Sequence, residues 1–237
     1  MKTKGDDHME SHSKAERLAM KIDHTALRPN TTETDVIRVC SEARAYGFKA
    51  VCIESKWLNL ATMHLEGTRV LPITVISFPH GQDILETKVA DIEKAIGLGA
   101  KEIDIVMNRR YLQDKDYRQL YRELSAVVHA SGKYPLKVIL ETSELTDHEK
   151  VIACSIAQAA GVTFIKTSTG FSKYGATVDD VKLMRQTVGD KMKIKASGGI
   201  RSLLDAEVLM AAGADRFGCS TSIDIMNELY ERGSSQL

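Results

Sequence analysis

The chain has 237 residues, 43% of them hydrophobic, and a formal net charge of zero. This length suits one large domain or two small ones, and the apolar content is sufficient for a sizeable core. The balanced charge argues against a general attraction to nucleic acid or to acidic membranes. The sequence has no signal-peptide pattern and no apolar run of about 18 residues, so we expect a soluble, cytoplasmic protein without a membrane partner.

Residues 1–12 are polar, and we expect them to form a flexible N-terminal tail. No linker or low-complexity segment interrupts residues 13–237, which predicts a single domain. The four cysteines are too widely spaced for a Cys-x-x-Cys pair, which indicates free thiols in a reducing compartment.

Helical and strand patterns alternate along the chain after a first helix near residues 13–20. Alternating strands and helices imply a parallel sheet, and eight units in this length predict a closed (β/α)8 barrel, the TIM-barrel architecture. A doubly wound open sheet is the alternative. The predicted strands are Lys21–Thr25, Lys49–Ile53, Ile73–Phe78, Glu102–Met107, Leu136–Thr142, Thr163–Thr169, Lys193–Ser197 and Arg216–Ser220.

Helix boundaries carry their own signals. A Ser or Thr followed three residues later by an acid predicts an N-terminal capping box, and a glycine that follows a helix predicts a left-handed C-terminal cap. The predicted N-terminal pairs are Thr32–Asp35, Thr146–Glu149, Thr177–Asp180 and Ser202–Asp205. The predicted glycines are Gly47, Gly99, Gly161 and Gly213.

Two lysines and an aspartate are predicted to point into the barrel. Lys166 and Lys195 each lie inside an apolar strand, and Asp104 alternates with the outward-facing Ile103 and Ile105. A second amine nearby and burial both disfavour the charged form of a lysine, so one amine can be neutral and attack a carbonyl. The alternative is a buried ion pair with a structural role only.

Glycines and hydroxyl side chains follow the sixth, seventh and eighth predicted strands. The loops after strands 7 and 8 of such barrels frequently hold a phosphate, since glycines let backbone N–H groups approach an anion closely. The alternative is a set of turn glycines and N-caps. The candidate anion-binding residues are Thr169, Gly170, Gly198, Gly199, Arg201, Gly218, Ser220 and Thr221.

Three further residues lie near predicted strand ends. Asp23 and Thr25 have side chains that can bond substrate hydroxyls or cap the next segment, and Cys52 is more typical of a buried structural thiol. The sequence contains no His-Glu-x-x-His motif, no Cys/His ligand cluster and no P-loop. We therefore expect no metal, no nucleotide and no other cofactor.

Six motifs in a fixed order resemble the deoxyribose-phosphate aldolases, from about residue 14 to residue 230. The more specific ones begin at Lys166 and Lys195, and Ser77 stands where that family usually has glycine. The motifs are 22–29 (IDHTALRP), 51–53 (VCI), 78–81 (FPHG), 102–106 (EIDIV), 166–171 (KTSTGF) and 195–201 (KASGGIR).

The resemblance implies a metal-free class I aldolase of deoxyribose phosphate catabolism. It implies that Lys166 forms a Schiff base with acetaldehyde, that Lys195 lowers its pKa, and that Asp104 and Lys195 move protons. The enamine would add to D-glyceraldehyde 3-phosphate, and the glycine loops would hold the phosphate. Asp23, Thr25 and Cys52 would line the pocket. A homodimer is expected from the family.

Two alternatives remain at this point. One is a Schiff-base aldolase of the same type that acts on another phosphosugar. The other is a barrel that binds a phosphosugar without catalysis, with Lys166 only ion-paired.

Overall fold

A closed barrel of eight parallel strands forms the centre of the fold. The computed structural model describes residues 14–234, so the tail expected at 1–12 and the chain end at 235–237 lie outside the described residues. The first strand pairs with the last, with Ile22 opposite Phe217, so the open-sheet alternative is wrong and the closed barrel is confirmed. The strands are β1 (Ile22–Ala26), β2 (Ala50–Ile53), β3 (Leu71–Ile76), β4 (Glu102–Val106), β5 (Leu136–Ile139), β6 (Phe164–Lys166), β7 (Lys193–Ser197) and β8 (Arg216–Cys219).

Helices alternate with the strands along the chain, and short 3₁₀ turns occur at Ser55–Trp57 and Thr142–Glu144. The N-terminal helix is observed at residues 14–19, close to the expected position. Within residues 14–234, no helix is both long enough and apolar enough to cross a bilayer. The helices are α1 (14–19), α2 (Glu33–Tyr46), α3 (Leu58–Leu65), α4 (Leu85–Gly97), α5 (Arg110–Gln113), α6 (Tyr117–Ser131), α7 (Asp147–Ala159), α8 (Val178–Val188), α9 (Leu203–Ala211) and α10 (Ser222–Ser234).

All four predicted N-caps accept a hydrogen bond from the backbone N–H three residues later. The reciprocal bond that completes a capping box is present at Thr32, Thr146 and Ser202. At Thr177 the box is incomplete, because the Asp180 carboxylate instead pairs with the ammonium of Lys150 on α7, 2.6 Å away. The predicted glycines after the helices all have positive φ, as the left-handed cap requires: Gly47, Gly99, Gly161 and Gly213.

Three strands, β3, β5 and β6, end two or three residues earlier than the sequence predicts. Ser77 (φ 52°) and Glu141 (φ 60°) have left-handed backbones that stop β3 and β5. Left-handed backbone favours glycine, which explains why glycine is the expected residue at the position of Ser77. After Lys166, side-chain hydroxyl groups add to the remaining backbone hydrogen bonds, and Thr167 Oγ1 donates to Ser197 O at 3.2 Å. The polar loops therefore begin directly at the carboxyl ends of the strands.

The barrel wall separates two different interiors. Ile103, Ile105 and Met107 pack into the large apolar core with the helices, as the alternation of β4 predicts. A smaller apolar cluster that includes Cys52 and Ile73 is separate from this core. Cys40, Cys52, Cys154 and Cys219 are all buried free thiols, in agreement with the sequence interpretation.

Candidate active site

Lys166, Lys195 and Asp104 meet inside the barrel. Lys166 and Lys195 are register partners on β6 and β7, and Asp104 projects from β4. One carboxylate oxygen, Asp104 Oδ2, accepts a hydrogen bond from each ammonium, and both N–O distances are 2.8 Å. All three side chains are buried, with exposed fractions of 3%, 0% and 0% for Lys166, Lys195 and Asp104. The structure therefore brings together the three residues that the strand pattern singled out.

The two lysines differ in electrostatic environment. Burial is the largest influence on Lys166 and lowers its pKa; Asp104 opposes this shift, and the charge of Lys195 adds to it. Burial also favours a neutral Lys195, but the carboxylates of Asp104 and Asp23 outweigh burial and raise its pKa. Asp23 Oδ2 lies 2.6 Å from Lys195 Nζ. Lys195 is therefore held as a cation, while Lys166 is shifted towards the neutral amine.

Asp104 is held as a carboxylate. Burial by itself favours the protonated acid, but Lys137, Lys166 and Lys195 hold the pKa of Asp104 well below its usual value. Lys137 was not singled out from the sequence. Its Nζ lies 3.0 Å from Asp104 Oδ1 and 2.6 Å from Glu102 Oε2. Lys137 thus binds the carboxylate oxygen that the other two lysines leave free.

Arg216 is a second residue that sequence reasoning missed. Its guanidinium lies 2.6 Å from Asp23 Oδ1 and 3.3 Å from Glu102 Oε1, so it links the two carboxylates. The ring of Phe164 lies beneath this layer, with Lys137 Nζ at 5.6 Å and Arg216 Cζ at 5.5 Å from its centroid. The signal for both missed residues was the one that identified Lys166, a cation at an inward-facing strand position.

Together these side chains form a buried network of three carboxylates and four basic groups within the described part of the chain. Its formal charge is zero when one basic group is neutral. Because Lys166 is the lysine whose pKa is lowered and Lys195 the one whose pKa is raised, Lys166 is the group suited to be neutral.

A cavity of about 780 Å³ opens above Lys166 at the carboxyl ends of the strands. Asp23, Cys52, Asp104 and Lys195 are not part of its lining and lie deeper in the barrel. The sequence-predicted residues that line it are Thr25, Lys166, Thr169, Gly170, Gly198, Gly199, Arg201, Gly218, Ser220 and Thr221.

Two glycines of the cavity wall are needed for close approach. A Cβ atom at Gly198 would lie 3.3 Å from the Cα of Gly170. The absence of a side chain at Gly198 therefore allows the loops after β6 and β7 to lie close together. A Cβ atom at Gly218 would lie 2.9 Å from Cε of Lys195. Gly218 therefore makes room for the second lysine, in addition to its place on the cavity wall.

The other predicted site residues have defined positions. The Thr25 hydroxyl donates to Asp23 O at 2.9 Å, and the Thr221 hydroxyl donates to Ile200 O at 3.0 Å, which ties the loop after β8 to the loop after β7. Burial raises the pKa of the Cys52 thiol to about 11. Within residues 14–234, no group of three or more His, Cys, Asp or Glu side chains is placed to hold a metal ion.

The neighbouring His24 points away from this network. Its Nε2 lies 2.6 Å from Glu42 of α2, and its Nδ1 lies 3.0 Å from the hydroxyl of Ser222 on α10. His24 therefore joins the barrel to the helix layer, while Asp23 beside it faces Lys195.

Known proteins that are similar to this chain in sequence and fold are described as aldolases. The chain matches the family described as DeoC/LacD family aldolase over residues 17–227. It is 47% identical over 219 residues to the deoxyribose-phosphate aldolase of Caldanaerobacter subterraneus subsp. tengcongensis, covering 91% of this chain and 95% of that protein. It is 48% identical over 211 residues to the deoxyribose-phosphate aldolase of Clostridium perfringens, covering 89% and 94%.

Solved structures agree in fold and sequence. A putative deoxyribose-phosphate aldolase from Coccidioides immitis superposes with a TM-score of 0.89 at 37% identity, over 91% of this chain and 87% of that one. The deoxyribose phosphate aldolase from Aeropyrum pernix, described as a unique tetramer, superposes with a TM-score of 0.86 at 30% identity, over 98% and 100% of the chains.

Proposed function

The chain belongs to the DeoC/LacD family of aldolases, and from this premise we infer that it reversibly cleaves 2-deoxy-D-ribose 5-phosphate through a Schiff base on Lys166. The products are D-glyceraldehyde 3-phosphate and acetaldehyde, so the activity is that of a deoxyribose-phosphate aldolase, a carbon–carbon lyase. One observation carries the assignment of Lys166: a single carboxylate, Asp104, contacts two buried lysines whose pKa values are shifted in opposite directions.

The chemistry starts with the neutral amine. In the synthetic direction, Lys166 Nζ adds to the carbonyl carbon of acetaldehyde, and uptake of one proton with loss of water gives the protonated imine. The positive imine nitrogen acidifies the methyl carbon, so removal of one proton there gives an enamine. The enamine carbon then attacks the aldehyde carbon of D-glyceraldehyde 3-phosphate, whose oxygen takes up a proton. Hydrolysis of the imine releases the product and restores the amine.

Lys195 and Asp104 supply the charges around these steps. The cationic Lys195 lowers the pKa of Lys166 and is a proton donor within reach of the same carboxylate. Asp104 accepts from both ammonium groups, so it connects them for proton transfer, and its charge stabilises the protonated imine. Lys137 positions Asp104 by holding its other oxygen.

The cavity above Lys166 is the proposed place for the phosphorylated end of the substrate. The loops after β6, β7 and β8 bring glycines and hydroxyl groups to its wall, and Arg201 adds a cation. Such loops favour a phosphate group, because backbone N–H groups can approach it closely. Asp23, Thr25 and Cys52 are proposed to shape the region towards the reacting carbons.

We further propose that the protein is a cytoplasmic homo-oligomer, with a homodimer as the expected form. Support comes from the Aeropyrum pernix relative, which is described as a tetramer. The role in the cell is the catabolism of deoxyribonucleosides through their sugar phosphate.

Borohydride reduction in the presence of acetaldehyde tests the Schiff base. We expect a covalent two-carbon adduct on Lys166, located by peptide mass mapping, and an undiminished yield in EDTA because the amine itself activates the carbonyl. Lys166→Leu should abolish the adduct and lower kcat/KM by a factor on the order of 10⁴ or more.

The matched control is Lys193→Leu, which changes an exposed lysine at the amino end of β7, away from the cavity, and should leave trapping on Lys166 unchanged. An active Lys166→Leu variant would contradict the assignment. Stabilisation by the sugar phosphate without any adduct or turnover would favour a non-catalytic binding barrel.

A further inference from the structure

Glu141 is a buried carboxylate beside the site that the mechanism above does not use. It follows β5, and the segment around it continues the pairing with the Lys166 strand: Leu140 N donates to Lys166 O and Thr142 N to Thr167 O, both at 3.0 Å. Only 1% of Glu141 is exposed. Its backbone is left-handed, at φ 60°, which is unfavourable for a residue with a side chain, so the surroundings must hold it there.

The Glu141 carboxylate holds the loop that follows Lys166. Its Oε2 accepts from the backbone N–H of Thr169 at 3.2 Å and, through a short contact, from the Thr169 hydroxyl. Since that hydroxyl donates its proton to Glu141, its lone pairs accept from the N–H of Phe171 at 3.1 Å. One carboxylate thus fixes both ends of the Thr169–Phe171 turn, with Gly170 between them.

Apart from Lys166 itself, this turn is the part of the cavity wall that lies nearest to Lys166 along the chain. Thr169, Gly170 and Phe171 line the cavity, whereas Glu141 lies behind them and is not part of the lining. The negative charge of Glu141 is therefore separated from a bound phosphate by the turn that it holds. Its other oxygen, Oε1, is buried without a hydrogen-bond partner among residues 14–234.

We propose that Glu141 is a positioning residue that sets the distance between the phosphate-binding turn and the Schiff-base amine. This inference rests on the proposed function, since it assumes that the turn receives the phosphate of the substrate. Glu141 does not touch the reacting atoms. It acts through Thr169, and its effect is confined to substrates that carry a phosphate.

Kinetics with two substrates test this role. For Glu141→Leu, we expect kcat/KM for 2-deoxy-D-ribose 5-phosphate to fall about ten- to a hundredfold, mainly through KM, because a hydrogen-bond acceptor bearing charge is lost. With unphosphorylated 2-deoxy-D-ribose, the change should be less than about threefold. Glu141→Gln keeps an oxygen acceptor for Thr169 and should recover most of the loss.

Controls separate this effect from a general defect. Glu144→Leu changes an exposed acid on the same connection and should leave both substrates unaffected. Thr169→Val removes the hydroxyl donor and should reproduce the phosphate-selective loss, which provides a second test if Glu141→Leu does not fold. An equal loss with both substrates, or no loss in either variant, would overturn the proposal.

Borohydride trapping with acetaldehyde tests the proposed Schiff-base function and the positioning role of Glu141 separately. Acetaldehyde carries no phosphate, so Glu141→Leu should be trapped on Lys166 at the wild-type rate. Trapping that fails in the wild-type protein would overturn the Schiff-base function itself. Trapping that fails only in Glu141→Leu would overturn the positioning role, because it would show that Glu141 acts on the amine.

Discussion

Lys166 and Lys195 are adjacent in the barrel wall and both buried, yet their pKa values shift in opposite directions. The physical reason is the number of carboxylates that each ammonium contacts among the described residues. Lys166 contacts Asp104, whereas Lys195 contacts both Asp104 and Asp23. One carboxylate does not overcome desolvation, but two carboxylates do. The proposed nucleophile and its cationic neighbour are thus residues of the same type in different surroundings.

Removal of the Lys195 charge should make Lys166 harder to deprotonate. In Lys195→Met, we expect the pH at which acetaldehyde trapping on Lys166 reaches half of its maximal rate to rise by about 1–3 units. The measurement is the trapping rate against pH, which reports imine formation apart from later steps. Lys193→Met, an exposed lysine on the same strand, is the control. An unchanged profile would remove this role from Lys195.

At the scale of elements, the βα loops carry both the helix caps and the cavity wall. The caps of α2 and α9 follow loops that line the cavity, whereas Thr146, which caps α7, is not part of the lining. The incomplete box of α8 shows that an interhelix pair can replace a local bond, since Asp180 binds Lys150 of α7. Local sequence signals thus compete with tertiary partners.

Thr146→Ala should lower the free energy of unfolding by about 1 kcal/mol, because it removes an N-cap with a complete reciprocal box. Thr177→Ala should cost less, since its cap lacks the reciprocal bond. Urea denaturation measures both changes, and activity well below the transition should be unchanged for Thr146→Ala. A larger loss for Thr177→Ala would contradict the ranking.

At the scale of the whole molecule, the buried charges connect six of the eight strands. Asp23 projects from β1, Glu102 and Asp104 from β4, and the four basic groups from β5, β6, β7 and β8. A lysine kept neutral in this network costs stability, because the same lysine is charged in the unfolded chain. We therefore expect Lys166, the proposed nucleophile, to lower the free energy of unfolding by an amount that depends on pH.

The cost has a definite sign. The folded pKa of Lys166 lies below its usual value of 10.5, so the cost is fully present below the folded pKa and fades as the pH rises to 10.5. Within that window, the unfolding free energy of the wild type relative to Lys166→Met should rise by about 1.4 kcal/mol per pH unit. Urea titrations at several alkaline pH values measure it. A difference that does not vary with pH would contradict a depressed pKa.

Strand order, N-caps and the inward-facing lysines were accessible from the sequence, because each depends on short-range periodicity or on capping chemistry. Lys166, Lys195 and Asp104 could be singled out since alternation assigns each side chain to one face of its strand. The same rule applied to Lys137 and Arg216 would have predicted two more interior cations. The ends of β3 and β5 were missed, because left-handed backbone at Ser77 and Glu141 has no local sequence signal.

The sequence by itself determined which residues face the interior of the barrel, and its motifs indicated the family. Only the tertiary structure decided which charges meet. Burial lowers the pKa of Lys166, whereas at Lys195 burial is outweighed by Asp104 and by Asp23, which lies 172 positions away in the chain. The reason is physical: a pKa depends on burial and on charges within a few ångströms, and closure of the barrel alone brings β1 beside β8 and its neighbours.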